Sequence, residues 1–372
     1  MPPRAFLRQR VRHARVVFVA AVALALAACG SGRDDRPDAT APAQAGERAL
    51  SFLAVGDTGE PTFLPALRSG QLAVARAMAY EDARQPVDAV VFLGDNFYPD
   101  GLREATLVSQ IGAHLVRPYC RFERLDAERS SEVASACALP ASERRPRPLH
   151  AVLGNHDYGD PASPKLQRER VPLFVPDFRV PDGLVEVRRL GDGVDLVLVD
   201  SELLMQGADP TPIRDALRAS AGPFRVLALH RPVALANGQQ LDPDGGEMKL
   251  RDAVRRAVAD SGVGVQLTLA GHAHNLQVLV EEPPMPLHVV AGGGSTCRPL
   301  AAGDASRRFG RRATGFARVD LVREAGVARL VATVFETPRF PIVEDLRGDA
   351  PDVVARFSVD ASGRVRDELA GR

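Results

Sequence analysis

With 372 residues, 45% of them hydrophobic and 25% charged, the chain is long enough for one large domain or two ordinary ones with a well-buried core, and disorder throughout is excluded. Lys plus Arg equal Asp plus Glu at 47 each, so no basic excess points to nucleic acid and no acidic excess to a solvating tail. Tryptophan is absent and aromatic residues make up 5%, which argues against the base-stacking surfaces of single-strand binders.

The N-terminus reads as an address. Arg4, Arg8, Arg10, Arg12 and Arg15 form a positively charged start, and Val16 to Ala28 is an uninterrupted apolar run of 13 residues. A bilayer span takes about 20 residues, so this run suits the apolar region of a signal peptide instead. Its end, Leu26-Ala27-Ala28-Cys29, resembles the lipobox of bacterial lipoproteins. That resemblance implies removal of residues 1–28, lipidation of Cys29 and export to the cell envelope. Gly30 rather than an aspartate follows, so the expected anchorage is the outer membrane, facing the periplasm. An ordinary signal peptide with an incidental cysteine is the alternative. Residues 29–48 hold the cysteine and a polar Gly/Pro/Ala-rich stretch that reads as a flexible tether. Without the five arginines the chain keeps 47 − 5 = 42 basic residues against 47 acidic ones, a mildly acidic mature protein.

From residue 49 short apolar, β-rich runs recur. Leu50–Val55, Ala89–Leu93, Leu149–Leu153, Val194–Val199, Phe224–Leu229, Val265–Ala270 and Leu287–Val290 read as buried strands. Between them Pro65–Arg84, Pro212–Ala219 and Gly246–Asp260 carry helical spacing, so the alternation argues for an α/β layered fold. Residues 112–148 form a charged insert with Cys120 and Cys137, expected to roof the site and set substrate choice. In an exported chain these two cysteines can close a surface loop, while Cys297 could be free or pair with either. A main domain over 49–340 and a C-terminal extension over 341–372 are expected.

The strand exits carry the chemistry. Val55 runs into Gly56-Asp57-Thr58-Gly59, Leu93 into Gly94-Asp95-Asn96-Phe97-Tyr98, and Leu153 into Gly154-Asn155-His156-Asp157. Leu229 runs into His230, and Ala270 into Gly271-His272-Ala273-His274. Carboxyl ends of strands in an open α/β sheet form the ligand crevice, so these segments can converge. Each has a dull reading alone: a Gly-Asp turn, a satisfied core histidine. Together they offer carboxylate, imidazole, amide and phenol without thiolate, a donor set for Fe, Mn or Zn. More than four donors implies two ions.

This order of motifs resembles the binuclear metallophosphoesterases, and within them the purple acid phosphatases of the tartrate-resistant type. Two coupled features select that branch: the first motif has Asp57-Thr58-Gly59 where other members carry Asp-x-His, and Tyr98 stands where the family has its tyrosinate. The resemblance covers about residues 50–295 and implies a four-layer αββα sandwich with mixed sheets, the strand-rich stretch to about 336 completing the second sheet. It implies Asp57, Asp95, Tyr98 and His274 around a ferric ion, and Asn155, His230 and His272 around a divalent Fe, Zn or Mn, with Asp95 bridging. His156 would contact the phosphate and deliver a proton to the leaving group. The implied activity is hydrolysis of phosphate monoesters, small molecules or phosphoproteins, by a metal-activated hydroxide, with no nucleic-acid partner. A phosphodiesterase or nucleotidase on the same scaffold, or a non-catalytic surface lipoprotein, are the rivals. Arg231 is expected to face solvent, and Gly292-Gly293-Gly294 to form a tight turn near the site rather than a nucleotide loop.

Overall fold

The computed structural model describes residues 46–59, 70–126, 128–235, 245–300, 302–337 and 350–370. The expected signal segment, Cys29 and most of the tether lie outside the described residues, among which no helix is long and apolar enough to cross a membrane. Two mixed sheets form the body. The eight-stranded one uses β1 (Glu47–Val55), β2 (Ala89–Leu93), β3 (Leu149–Val152), β4 (Phe178–Arg179), β12 (Gly315–Glu324), β13 (Val327–Glu336), β14 (Asp352–Asp360) and β15 (Val365–Asp367). The seven-stranded one uses β5 (Val185–Leu190), β6 (Val194–Val199), β7 (Phe224–Leu229), β8 (Leu267–Ala270), β9 (Leu276–Val280), β10 (Leu287–Ala291) and β11 (Arg307–Arg311). In spatial order they run β15-β14-β13-β12-β1-β2-β3-β4 and β11-β9-β10-β8-β7-β6-β5.

Side chains alternate across each strand, and that period of two sets the layers. Phe52 and Ala54 of β1 pack with Val91, Leu93, Leu196, Leu198, Val226, Ala228 and Leu269 in a core between the sheets. Leu53 and Val55 point the other way, into an outer core with Val74, Ala77 and Met78 of helix α1 (Gly70–Arg84). Beyond the second sheet Val197, Val199, Leu227 and Leu229 meet helices α2 (Thr211–Ala219) and α3 (Gly246–Ser261) through Ile213, Leu217, Leu250, Val254 and Val258. The order of layers is αββα, because strands buried on both faces need helices outside each sheet. β1, β2 and β3 are mutually parallel, as are β6, β7, β8 and β10, so their carboxyl ends lie on shared edges.

Two expectations change. The stretch to 336 does not complete the second sheet: β12 pairs antiparallel with β1 and β13 with β12, so both extend the first sheet. β14 and β15 continue that sheet, so the described part of 341–372 contains strands. Nor does 112–148 act as a roof. Leu115, Val116, Tyr119, Phe122 and Val133 bury themselves in the outer core of the first sheet, because that sheet face must be covered. A disulfide from Cys120 to Cys137 closes the segment, with Cα atoms 5.6 Å apart. It reaches the strand exits from behind, through a 2.5 Å contact of His114 Nδ1 with the Gly59 carbonyl.

Inside this layer Glu123 is wholly buried, with neither carboxylate oxygen hydrogen-bonded. Burial, opposed by Arg144 and reinforced by Asp177, pushes its carboxyl up to about 8. A folded-state value above the ordinary 4.5 means a stabilising contribution fully present below pH 4.5 and lost as pH rises through about 8. Thermal unfolding of wild type and Glu123→Gln across that window therefore shows a gap that grows with pH in favour of the variant, by several degrees. A gap constant with pH would contradict this reading of Glu123.

Candidate metal centre

The strand ends turn sharply. Asp57, Asp95, His272 and His274 all have positive φ, at 58°, 54°, 67° and 48°, a region that costs non-glycine residues roughly 1–3 kcal/mol each. Among the described residues the only other non-glycine case is Ala325, in the β12–β13 hairpin. Such turns need glycine neighbours. Gly94 has φ 86°, and a Cβ there would lie 2.7 Å from His230 Nδ1, while one on Gly154 would collide with the Asp95 carboxylate. The two sheets are tied at this edge by the His272 N–H, which donates to Asp57 Oδ2 at 2.7 Å. Gly292-Gly293-Gly294 lies against the same loop, Gly294 N donating to Gly56 O at 3.0 Å.

The predicted side chains gather into two sets that share one carboxylate. In the first, Tyr98 Oη lies 2.8 Å from Asp95 Oδ2, 3.2 Å from His274 Nε2 and 3.5 Å from Asp57 Oδ1, and His274 Nε2 is 3.2 Å from Asp57 Oδ1. Ligand atoms of Asp57, Asp95 and His274 all fall within 4.8 Å of one another, and the three residues are buried. In the second, His230 Nε2 is 3.1 Å from Asn155 Oδ1 and 3.4 Å from Asp95 Oδ1. His272 Nδ1 is 3.1 Å from Asn155 Oδ1 and 3.2 Å from His230 Nε2. Asp95 thus turns Oδ2 to one set and Oδ1 to the other.

Proton bookkeeping tests whether these residues fit metal ions. His230 Nδ1 is 2.9 Å from the Leu93 carbonyl, an acceptor only, so that nitrogen carries the hydrogen and Nε2 is a bare lone pair. His272 Nε2 is 2.9 Å from the Glu247 carboxylate, which leaves Nδ1 bare by the same logic. His274 Nδ1 is held by Thr296 Oγ1 at 2.8 Å, which turns Nε2 inward. The second set therefore packs Asn155 Oδ1, Asp95 Oδ1 and two bare nitrogens together with no proton among them. With its carboxylates ionised, the first has only the Tyr98 proton to share among three acceptors. Buried acceptors facing one another are costly without a cation, and histidines held through their other nitrogen are what metal sites use. The residues fit two ions.

Electrostatics agree. Burial, aggravated by Asp95, raises the Asp57 carboxyl well above its usual range. Burial would raise Asp95 too, but His230, His156 and the His156 N–H hold it below its ordinary value. Burial lowers His230 against the opposing pull of Asp95, and burial together with Arg298 pushes His274 down to about 3; both shifts favour the neutral ring that a metal ion needs as a donor. His156 sits beside the centre: its N–H donates to Asp95 Oδ1 at 2.9 Å, its ring lies 4.2 Å from the Tyr98 ring, and Nδ1 is 2.5 Å from the Pro99 carbonyl.

Sequence reasoning missed the residues behind these. Asp157 was visible only as the end of its motif. Its carboxylate accepts from the backbone N–H groups of Asn96, Phe97 and Gly154 at 2.9–3.1 Å and from Gln167, clamping the Asp95–Tyr98 loop to the Asn155 loop. Burial and Asp95 push its carboxyl up to about 7. Arg231 is not turned to solvent as expected. Half-buried, it forks onto Glu202 at 2.7 and 3.2 Å and reaches Glu247 at 2.6 Å, because these two buried carboxylates need a counter-charge. Arg298, an exposed residue whose N–H donates to the His274 carbonyl at 2.6 Å, brings a positive charge that acts on both Asp57 and His274. Asp157 and Arg231 stand in or beside the strand-exit motifs, but their partners come from other segments, and nothing in the sequence ties Arg298 to the site.

The family profile of calcineurin-like phosphoesterases matches residues 50–276. The chain belongs to the calcineurin-like phosphoesterases. Members of this family are binuclear metal-dependent, and the chain is a phosphoesterase-fold hydrolase related to acid phosphatases. It is 26% identical to the tartrate-resistant acid phosphatase type 5 of Rattus norvegicus over 280 residues, 70% of this chain and 76% of the relative. Among solved structures, the purple acid phosphatase of yellow lupin (Lupinus luteus) seeds superposes with a TM-score of 0.54 at 15% identity, over 86% of this chain and 52% of that one. GAP50, the anchor in the inner membrane complex of Plasmodium, gives 0.58 at 15% identity, over 80% and 87%. These two likenesses show the shared fold.

Within this phosphoesterase Asp157→Ala leaves three buried N–H groups unpaired and should cost on the order of 3 kcal/mol. Calorimetric unfolding checks this; a variant as stable as wild type would show that the two loops hold their shape without the clamp.

Proposed function

We propose that the chain is an exported binuclear-metal acid phosphatase of the purple type, hydrolysing phosphate monoesters of small molecules or phosphoproteins. The observation that supports it most is the asymmetry of the two donor sets around Asp95. The first gathers three groups that can be anionic, Asp57, Asp95 and Tyr98, with one imidazole, which suits a ferric ion. The second has two neutral imidazoles and a neutral amide beside its share of Asp95, which suits divalent Fe, Zn or Mn. When bound, such a pair supplies an activated water and neutralises charge on the phosphate.

The chain's own residues do the rest. Asp95 spaces the two positions through its two oxygens. His156, anchored through Nδ1 on Pro99, keeps Nε2 without a protein partner among the described residues, so its imidazolium form carries a proton there for the leaving-group oxygen. Arg298 offers its positive charge to the substrate phosphate. Export and a lipid anchor on Cys29 rest on the N-terminal sequence, and the Cys120–Cys137 disulfide supports an oxidising compartment. The balanced charge gives no support to a nucleic-acid substrate.

His156→Ala should lower turnover of an alkyl phosphate by about 10²–10⁴-fold and that of nitrophenyl phosphate far less, since nitrophenolate leaves without a proton. Equal losses on both would remove His156 from proton delivery. Comparing wild-type rates on a monoester and the matching diester tests the substrate class. Faster diester cleavage would favour the phosphodiesterase reading, and no turnover by metal-loaded protein the non-catalytic surface lipoprotein.

A further inference from the structure

Resting on the two-metal reading, we propose that Glu247 is a positioning residue for the second metal position, fixing His272 with Nδ1 as the donor nitrogen, and that Arg231 holds Glu247 in that task. Glu247 opens helix α3 and is 2% exposed. Its Oε1 lies 2.9 Å from His272 Nε2. A carboxylate can only accept there, and a lone pair facing a lone pair at that distance would repel, so the imidazole hydrogen resides on Nε2. Nδ1 is thereby left bare toward Asn155 Oδ1 and His230 Nε2. The negative charge behind the ring also raises the donor strength of Nδ1.

Glu247 would be expensive to bury by itself. Arg231 compensates it at 2.6 Å and is itself fixed by the fork onto Glu202 and by its N–H on Ser201 Oγ at 3.2 Å. Arg251 adds a contact to Glu247 Oε2 at 3.4 Å and ties the Pro232 carbonyl at 3.0 Å. Two carboxylates and two guanidiniums balance, so the unit is electrically neutral; at His272 Nε2 the Glu247 oxygen at 2.9 Å is nearer than Arg231 Nη1 at 3.3 Å, and the hydrogen on Nε2 points to the carboxylate. Arg231 directly follows the ligand His230, so the unit joins the two ring nitrogens of the second set through the backbone as well. In the first set His274 rests instead on the neutral hydroxyl of Thr296.

The test is the stoichiometry and affinity of Zn(II), measured by competition with a chromophoric chelator, on full-length wild type, Glu247→Ala and Glu247→Gln, with unfolding temperatures alongside. Wild type binds two equivalents. In Glu247→Ala one of the two affinities falls about 10–100-fold while the other and the unfolding temperature hold. Glu247→Gln, which keeps shape and an acceptor oxygen but no charge, falls between. Two unchanged affinities in Glu247→Ala would overturn the positioning role and leave the two-metal reading standing. Equal weakening at both positions with a lowered unfolding temperature would make Glu247 merely structural and overturn it as well. A wild type that takes up fewer than two equivalents would overturn the two-metal reading, and this inference with it.

Discussion

The carboxylate of Asp95 sits where two sets of buried lone pairs meet, and the structure is arranged to keep it there. One oxygen faces Tyr98, the other His230 and the His156 N–H. An anion so buried among acceptors is unfavourable unless positive charge sits on both sides. That single constraint accounts for the left-handed turns at four strand ends, for glycines where a methyl group would strike a ring or a carboxylate, and for histidines each pinned through the nitrogen that faces away.

The layers serve the same end. Parallel strands in both sheets bring their carboxyl ends to common edges, and the core of Phe52, Leu93, Leu198, Ala228 and Leu269 holds the two sheets face to face. Fully burying side chains of this kind stabilises by about 1.5–3 kcal/mol each, which lets the fold sustain several strained turns at one edge. The segment of 112–148 contributes from the far side, covering the first sheet and bracing Gly59 through His114 rather than closing over the centre.

Much of this was legible in the sequence because it is local. Ala89–Leu93, Val194–Val199 and Phe224–Leu229 are continuous apolar runs, and the structure bounds those strands at the same residues. Asp57, Asp95, Tyr98, Asn155, His230, His272 and His274 could be found because each follows a strand within a few residues, and the structure brings all seven together. What could not be read depends on pairing between distant segments. Nothing in Gly315–Glu324 says that it will lie beside β1 instead of in the other sheet, since an alternating strand fits either edge. Glu247 opens a helix sixteen residues after Arg231, and its place under His272 follows from how that helix packs on the second sheet. Arg231 looked like a solvated cation because its partners, Glu202 and Glu247, come from two other elements.

In the proposed centre the donor set of Asp57, Asp95, Tyr98 and His274 holds a ferric ion through the Tyr98 phenolate. The deciding measurement is the visible absorption spectrum of iron-loaded protein spanning residues 30–372, beside Tyr98→Phe of equal metal content. A broad visible band is expected in the wild type and is lost in the variant. A band that survives in Tyr98→Phe, or no band from wild type holding two metal equivalents under oxidising conditions, would contradict this assignment and reduce Tyr98 to a structural residue beside two divalent ions.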